Sequence, residues 1–124
     1  GIGTNNPQST LQIERFGIQS GFGTFAASAG IAHTVDSFAF GVDDFKTAEY
    51  TLHITNGSNI QSQKILVMQD QSVAYYQEYG VMYNQNLIVS VGATITGSNC
   101  ILKVTPETGI SGHTVYRFSR GTLL

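Results

Sequence analysis

A chain of 124 residues is long enough for a single domain burying roughly two-thirds of the surface that its unfolded form exposes. Only 11% of the residues are charged, against the roughly 25% usual in soluble proteins, and the formal net charge is -2. The six Lys and Arg are scattered from Arg15 to Arg120. A phosphate backbone is bound by clustered cations, so nucleic acid is not an expected partner.

The first thirty residues read as an extended arm or linker. Gly1, Gly3, Gly17, Gly21, Gly23 and Gly30, with Pro7 and a background of Ser, Asn and Thr, punctuate it. One alternating run, Thr10 to Phe16, predicts a short strand there, with Leu11 and Ile13 on one side. The chain starts Gly1-Ile2-Gly3 without an initiator Met, as expected of a piece cut from a longer polypeptide.

From residue 31 onward strands follow one another. The clearest is Thr47 to Ile54, where Ala48, Tyr50, Leu52 and Ile54 alternate with Thr47, Glu49, Thr51 and His53. That period of two marks a half-buried strand. With this run lying inside the second of them, strands are predicted at His33 to Phe40, Lys46 to Thr55, Ile60 to Gln69, Ser72 to Tyr76, Gly80 to Tyr83, Leu87 to Thr96, Cys100 to Thr105 and His113 to Ser119. Asn56-Gly57-Ser58 supplies the positive φ of a tight hairpin, and Asn84-Gln85-Asn86 and Gly97-Ser98-Asn99 are similar polar breaks. Pro106 has no N–H to give a ladder and closes the Cys100 strand. No window carries an apolar stripe at helical spacing. The expectation is an all-β fold, an antiparallel β-sandwich, jelly-roll-like or meander, of about eight strands over residues 31–124, with residues 1–30 as its arm. The longest apolar run, Ile65-Leu66-Val67-Met68, is far short of the roughly 20 residues of a membrane span, so no membrane is expected.

Chemistry-bearing residues do not gather in the sequence. His33, His53 and His113 stand alone in separate strands, without the spacing of a compact metal site. Asp36 and Asp43-Asp44 read as turn caps near Gly41, since no calcium-loop pattern surrounds them. There is no Gly-x-Ser-x-Gly elbow, and Gly21-Phe22-Gly23 does not open a helix as a phosphate loop would. Cys100, the sole cysteine, sits beside Ile101, Leu102 and Val104 and reads as a packed thiol. No catalytic, metal-binding or cofactor-binding residue is assigned, and no enzyme activity is expected. A hydrolase would require His33, His53 or His113 to meet an acid or nucleophile. Tyr75, Tyr76, Tyr79 and Tyr83 are the candidate ligand-binding residues, as sugar-binding modules present aromatic platforms. Tyrosine also suits any pleated, half-buried surface, so packing competes with that reading.

Two sets of segments carry a resemblance. Gly1-Ile2-Gly3-Thr4-Asn5-Asn6-Pro7 followed by Leu11-Gln12-Ile13 resembles a short element that recurs in tail-fibre and other elongated phage structural proteins. Lys46 to Ile54, Gln69-Asp70, Glu78 to Tyr83, Thr105 to Gly109 and Thr114 to Arg120 resemble, in order, a module of virion structural proteins from large contractile-tailed phages of marine bacteria. The resemblance implies a particle component of a fibre, neck or baseplate, located in the virion and contacting other virion proteins, with no cofactor. It carries no functional residues over. Low charge and few edge lysines, Lys46, Lys64 and Lys103, leave strand edges open to self-pairing. A homo-oligomer is therefore expected, a trimer by analogy with threefold fibres. The alternative is a module that binds carbohydrate, a host-surface glycan, through the tyrosines.

Overall fold

A computed structural model describes residues 11–40 and 45–124. The Gly1 to Pro7 element and the Asp43-Asp44 pair lie outside the described residues. Among those described, nine strands form and no helix: β1 (Leu11–Ile13), β2 (Phe16–Ala27), β3 (His33–Ala39), β4 (Thr47–Asn56), β5 (Asn59–Gln69), β6 (Ala74–Tyr83), β7 (Val89–Thr96), β8 (Asn99–Pro106) and β9 (Gly112–Leu123). They build two antiparallel sheets, one of six strands in the order β1-β2-β9-β4-β5-β6 and one of three in the order β3-β8-β7. The expected sandwich is present. Its chain path mixes a β4-β5-β6 meander with long returns, of which the last brings β9 between β2 and β4.

Period-two patterning places the core. Ala48, Tyr50, Leu52 and Ile54 from β4, with Ile65 and Val67 from β5, pack against Val89 and Val91 of β7 and Leu102 and Val104 of β8. All are buried. The alternating strand at residues 47 to 54 thus turns inward the four side chains that the sequence marks.

Two turns follow a common rule. Gly57 and Gly97 begin the two-residue connections β4-β5 and β7-β8 with φ of 60° and 63°. A glycine in the left-handed region at the first central position is the II′ arrangement, which matches the twist of the flanking strands.

The strand content exceeds the sequence expectation in two places. The described part of the expected arm holds β1 and β2, and β2 pairs with β9 along its whole length, from Phe16 opposite Leu123 to Ala27 opposite Gly112. Its glycines are not loop punctuation. A Cβ at Gly21 would stand 2.6 Å from the Phe118 ring, and one at Gly23 would collide with the Tyr116 phenol, so the strand needs bare backbone where these rings lie across it. The second place is Ser72 to Tyr83, expected as two strands. It forms the single strand β6, whose register against β5 shifts between Ser62 and Lys64, opposite Gly80 at φ 63°. A bulge takes up the glycine at which the second of the two strands is expected to start.

Asp36 corrects another expectation. It lies inside β3 at a register irregularity between Thr34 and Asp36, not at a turn. Its Oδ2 accepts hydrogen bonds from Tyr50 Oη and Arg120 Nη1, both at 2.5 Å. The carboxylate of the small sheet is thereby clasped by two strands of the large one.

Candidate functional site

The tyrosines sit on β6, the free edge of the six-stranded sheet, and all four are exposed, between 40 and 54%. Residues directly opposite in an antiparallel pair share a face, so register divides them. Tyr75 opposes Met68 and Tyr79 opposes Lys64, both on the outer face of the large sheet. Tyr76 opposes the buried Val67 and Tyr83 opposes the buried Gln61, on the side of the small sheet. The four share a strand but make two pairs, not one platform.

Each pair has its own surroundings. Tyr79 Oη donates to Glu49 Oε2 at 2.6 Å, and Lys64 Nζ donates to Glu49 Oε1 at 3.3 Å. The Tyr79 hydrogen bond, aided by Lys64, holds the Glu49 carboxyl below its usual range, and the same bond raises the Tyr79 phenol. Tyr75 Oη donates to Asp70 Oδ2 at 3.1 Å. The Val73 and Ser72 amides, which donate to Asp70 Oδ1, lower that carboxyl and fix the β5-β6 turn. A depression of about 670 Å³ lies against this end of the strand, lined by Thr47, Leu66, Met68, Tyr75, Tyr76 and Gln77. Tyr76 reaches over the small sheet instead, its hydroxyl 3.4 Å from where a Gly92 side chain would begin.

The inner side of β6 is fastened by amides and a carboxylate. Gln61 Oε1 accepts from the Ile88 and Val89 amides at 2.8 and 3.1 Å, and its Nε2 donates to Gln63 Oε1 at 2.7 Å. Gln63 Nε2 donates to Glu78 Oε1, which also accepts from the Val91 amide at 2.9 Å. Gln61 and Gln63 are almost wholly buried. They substitute for the ladder that β6 and β7 do not share, closing one side of the sandwich with side chains.

The histidines stay apart in role. His33 stacks on Phe25 with ring centroids 4.3 Å apart. His53 Nδ1 meets Ser62 Oγ at 2.6 Å on the outer face, and His113 stands exposed at the start of β9. Among the described residues no hydrogen bond or ion pair joins any of them to a carboxylate or to Cys100, and no three His, Cys, Asp or Glu are grouped to hold a metal ion. Cys100 is buried, and burial pushes its thiol up to about 11.

Sequence reasoning missed the outer face itself. Reading across the registers, one rank runs Ile13, Phe16, Leu123, Thr47, Met68, Tyr75 over all six strands. Five of the six are large and apolar and all five are exposed. The signal was present in Ile65-Leu66-Val67-Met68. An unbroken apolar run in a strand puts such side chains on both faces, whereas alternation would leave one face polar.

No family model matches this sequence, and no curated protein matches it. Solved structures do share the fold. The Acinetobacter phage vB_ApiP_P1 tailspike protein superposes with a TM-score of 0.57 at 13% identity, covering 95% of this chain and 23% of the tailspike. The Acinetobacter baumannii phage AM24 tailspike protein gives 0.52 at 10% identity, covering 88% of this chain and 26% of the tailspike. The chain spans about a quarter of the length of these proteins.

Proposed function

We propose that the chain is a non-catalytic, self-assembling module of a phage tail, one unit of a longer fibre, neck or baseplate polypeptide in the virion. The observation that carries this reading is the near-complete superposition, 95% of the chain on a quarter-length segment of a phage tailspike. Fold alone does not assign function. The likeness gains weight from the separate resemblance of Lys46 to Ile54 and Thr114 to Arg120 to virion proteins of contractile-tailed marine phages. Its exterior, poor in charge, suits packing against copies of itself, a trimer in the first instance, and against other virion proteins. The test is immunogold labelling of particles produced from the genome that encodes the chain. Antibody to the 124-residue chain should decorate tails; unlabelled particles, or label confined to heads, would overturn the proposal.

A second reading, a host-glycan-binding module, is favoured by one feature. Tyr75 presents its ring beside an open depression, with Asp70 and Gln77 at hand for hydroxyl groups. Stacking of a sugar on a tyrosine ring combines apolar contact with a wet phenol. On this reading a glycan array shows binding that Tyr75→Ala abolishes, and an array without binders removes it.

A further inference from the structure

Resting on the tail-module reading, we infer that the outer face of the six-stranded sheet is a self-association surface, whose occupant is a second copy of this chain. The rank Ile13, Phe16, Leu123, Met68, Tyr75 crosses six strands, about 24 Å at the usual strand spacing. Behind it a second rank places Leu11 and Ile18 on one side and Leu66 on the other, with Gly121 and Glu49 between. These large side chains, with Tyr79, are each 40 to 53% exposed. Together they offer on the order of 800 Å² of surface, above the few hundred Å² that a monomer usually leaves bare and equal to one partner's share of a standard interface.

The relief of the face selects the occupant. Phe16 and Ile18 form a ridge on β2, Leu66 forms another on β5, and between them Thr47, Thr51, Ser119 and Gly121 floor a trough of about 480 Å³. The Phe16 ring leans over Gly121, 3.1 Å from where a side chain there would begin. A face with both a ridge and a trough can receive a ridge of its own kind. Its charges do not select against a copy either, because Glu49 and Lys64 face each other at 3.3 Å and Arg120, which also lines the trough, is paired with Asp36 behind it. A strongly basic or acidic partner would find nothing to pair with here.

Sedimentation velocity on the 124-residue chain should show concentration-dependent association. Ile18→Lys and Leu66→Lys, both at exposed positions, should each leave the circular-dichroism spectrum unchanged and together weaken association at least about 100-fold, as central interface anchors do. Ile31→Lys, at an exposed residue between β2 and β3, should leave it unchanged. The wild-type chain supplies an internal comparison that needs no variant. Its two methionines are exposed, Met68 within the band and Met82 beyond it. Peroxide oxidation of Met68 should slow as concentration rises, while that of Met82 should not. A chain that stays monomeric, an oligomer indifferent to both lysines, or equal protection of the two methionines would each overturn the inference. None of these outcomes moves the immunogold label, so the tail assignment is judged separately.

Discussion

Arg120 is the most consequential single residue, because it is a charged side chain held in the interior. Its Nη1 donates to Asp36, its Nε donates to Thr122 Oγ1 at 3.2 Å, and its guanidinium carbon lies 4.0 Å from the centre of the Phe38 ring. Tyr50 adds the second hydrogen bond to the same carboxylate oxygen, and burial followed by the Asp36 charge raises its phenol far above the ordinary range. Removing one partner of such a cluster strands the others without water. Arg120→Met is therefore expected to cost about 3–5 kcal/mol in urea unfolding, as broken buried pairs do. The triple variant Asp36→Leu, Tyr50→Phe, Arg120→Met should recover most of that loss, since an apolar set of similar volume leaves no orphaned group. If the triple variant is as unstable as the single one, uncompensated charge is not the cause. The sequence hides this cluster, because Asp36 reads together with Asp43-Asp44 as a turn cap near Gly41. Its role depends on a bulge in β3 and on a strand 84 positions away.

At the scale of the element, strands were legible where side-chain alternation decides them, and obscure where backbone space decides them. Residues 47 to 54 announce β4 because inward and outward positions differ in chemistry at every step. β2 carries no such alternation; its inward positions include glycines, chosen to lie beneath the rings of Phe118 and Tyr116. Gly21→Val should destabilise the chain by about 2 kcal/mol, the usual range for a side chain forced into filled space. Thermal melting reads the effect, and a neutral result would mean that the Phe118 ring swings clear. The same division explains the candidate site. That four tyrosines lie close together in sequence was plain, and alternation alone would set Tyr83 on the face of Tyr75 and Tyr79; the bulge at Gly80 moves it to the other face, and that shift is set by pairing with β5.

For the whole molecule, the two sheets are unequal and their join is polar at both sides. The Asp36 clasp links β3 to β4 and β9, while Gln61, Gln63 and Glu78 link β5 and β6 to β7. The dry layer between includes Cys100, whose burial gives global stability a pH dependence. Its thiol ordinarily titrates near 9.0 and is pushed up to about 11 in the fold. The folded state keeps a proton that the unfolded chain releases, so this contribution is whole below pH 9.0 and is lost as pH rises through about 11. Urea midpoints should fall across that interval, and Cys100→Val should flatten the first part of the fall before the phenols take over. An unaltered profile in the variant would assign the decline to tyrosine alone. The path of the chain through the large sheet has a mechanical consequence. The chain turns from β1 into β2 at Phe16, which lies opposite Leu123, where β9 ends, and the Leu124 amide donates to the Arg15 carbonyl at 2.9 Å. Tension applied through these two points pulls across the β2-β9 ladder instead of along it, and its hydrogen bonds open in succession like a zip. Joined at both points into a longer thread, the unit would hang beside the line of force as a pendant, sheltered only while that first rung holds.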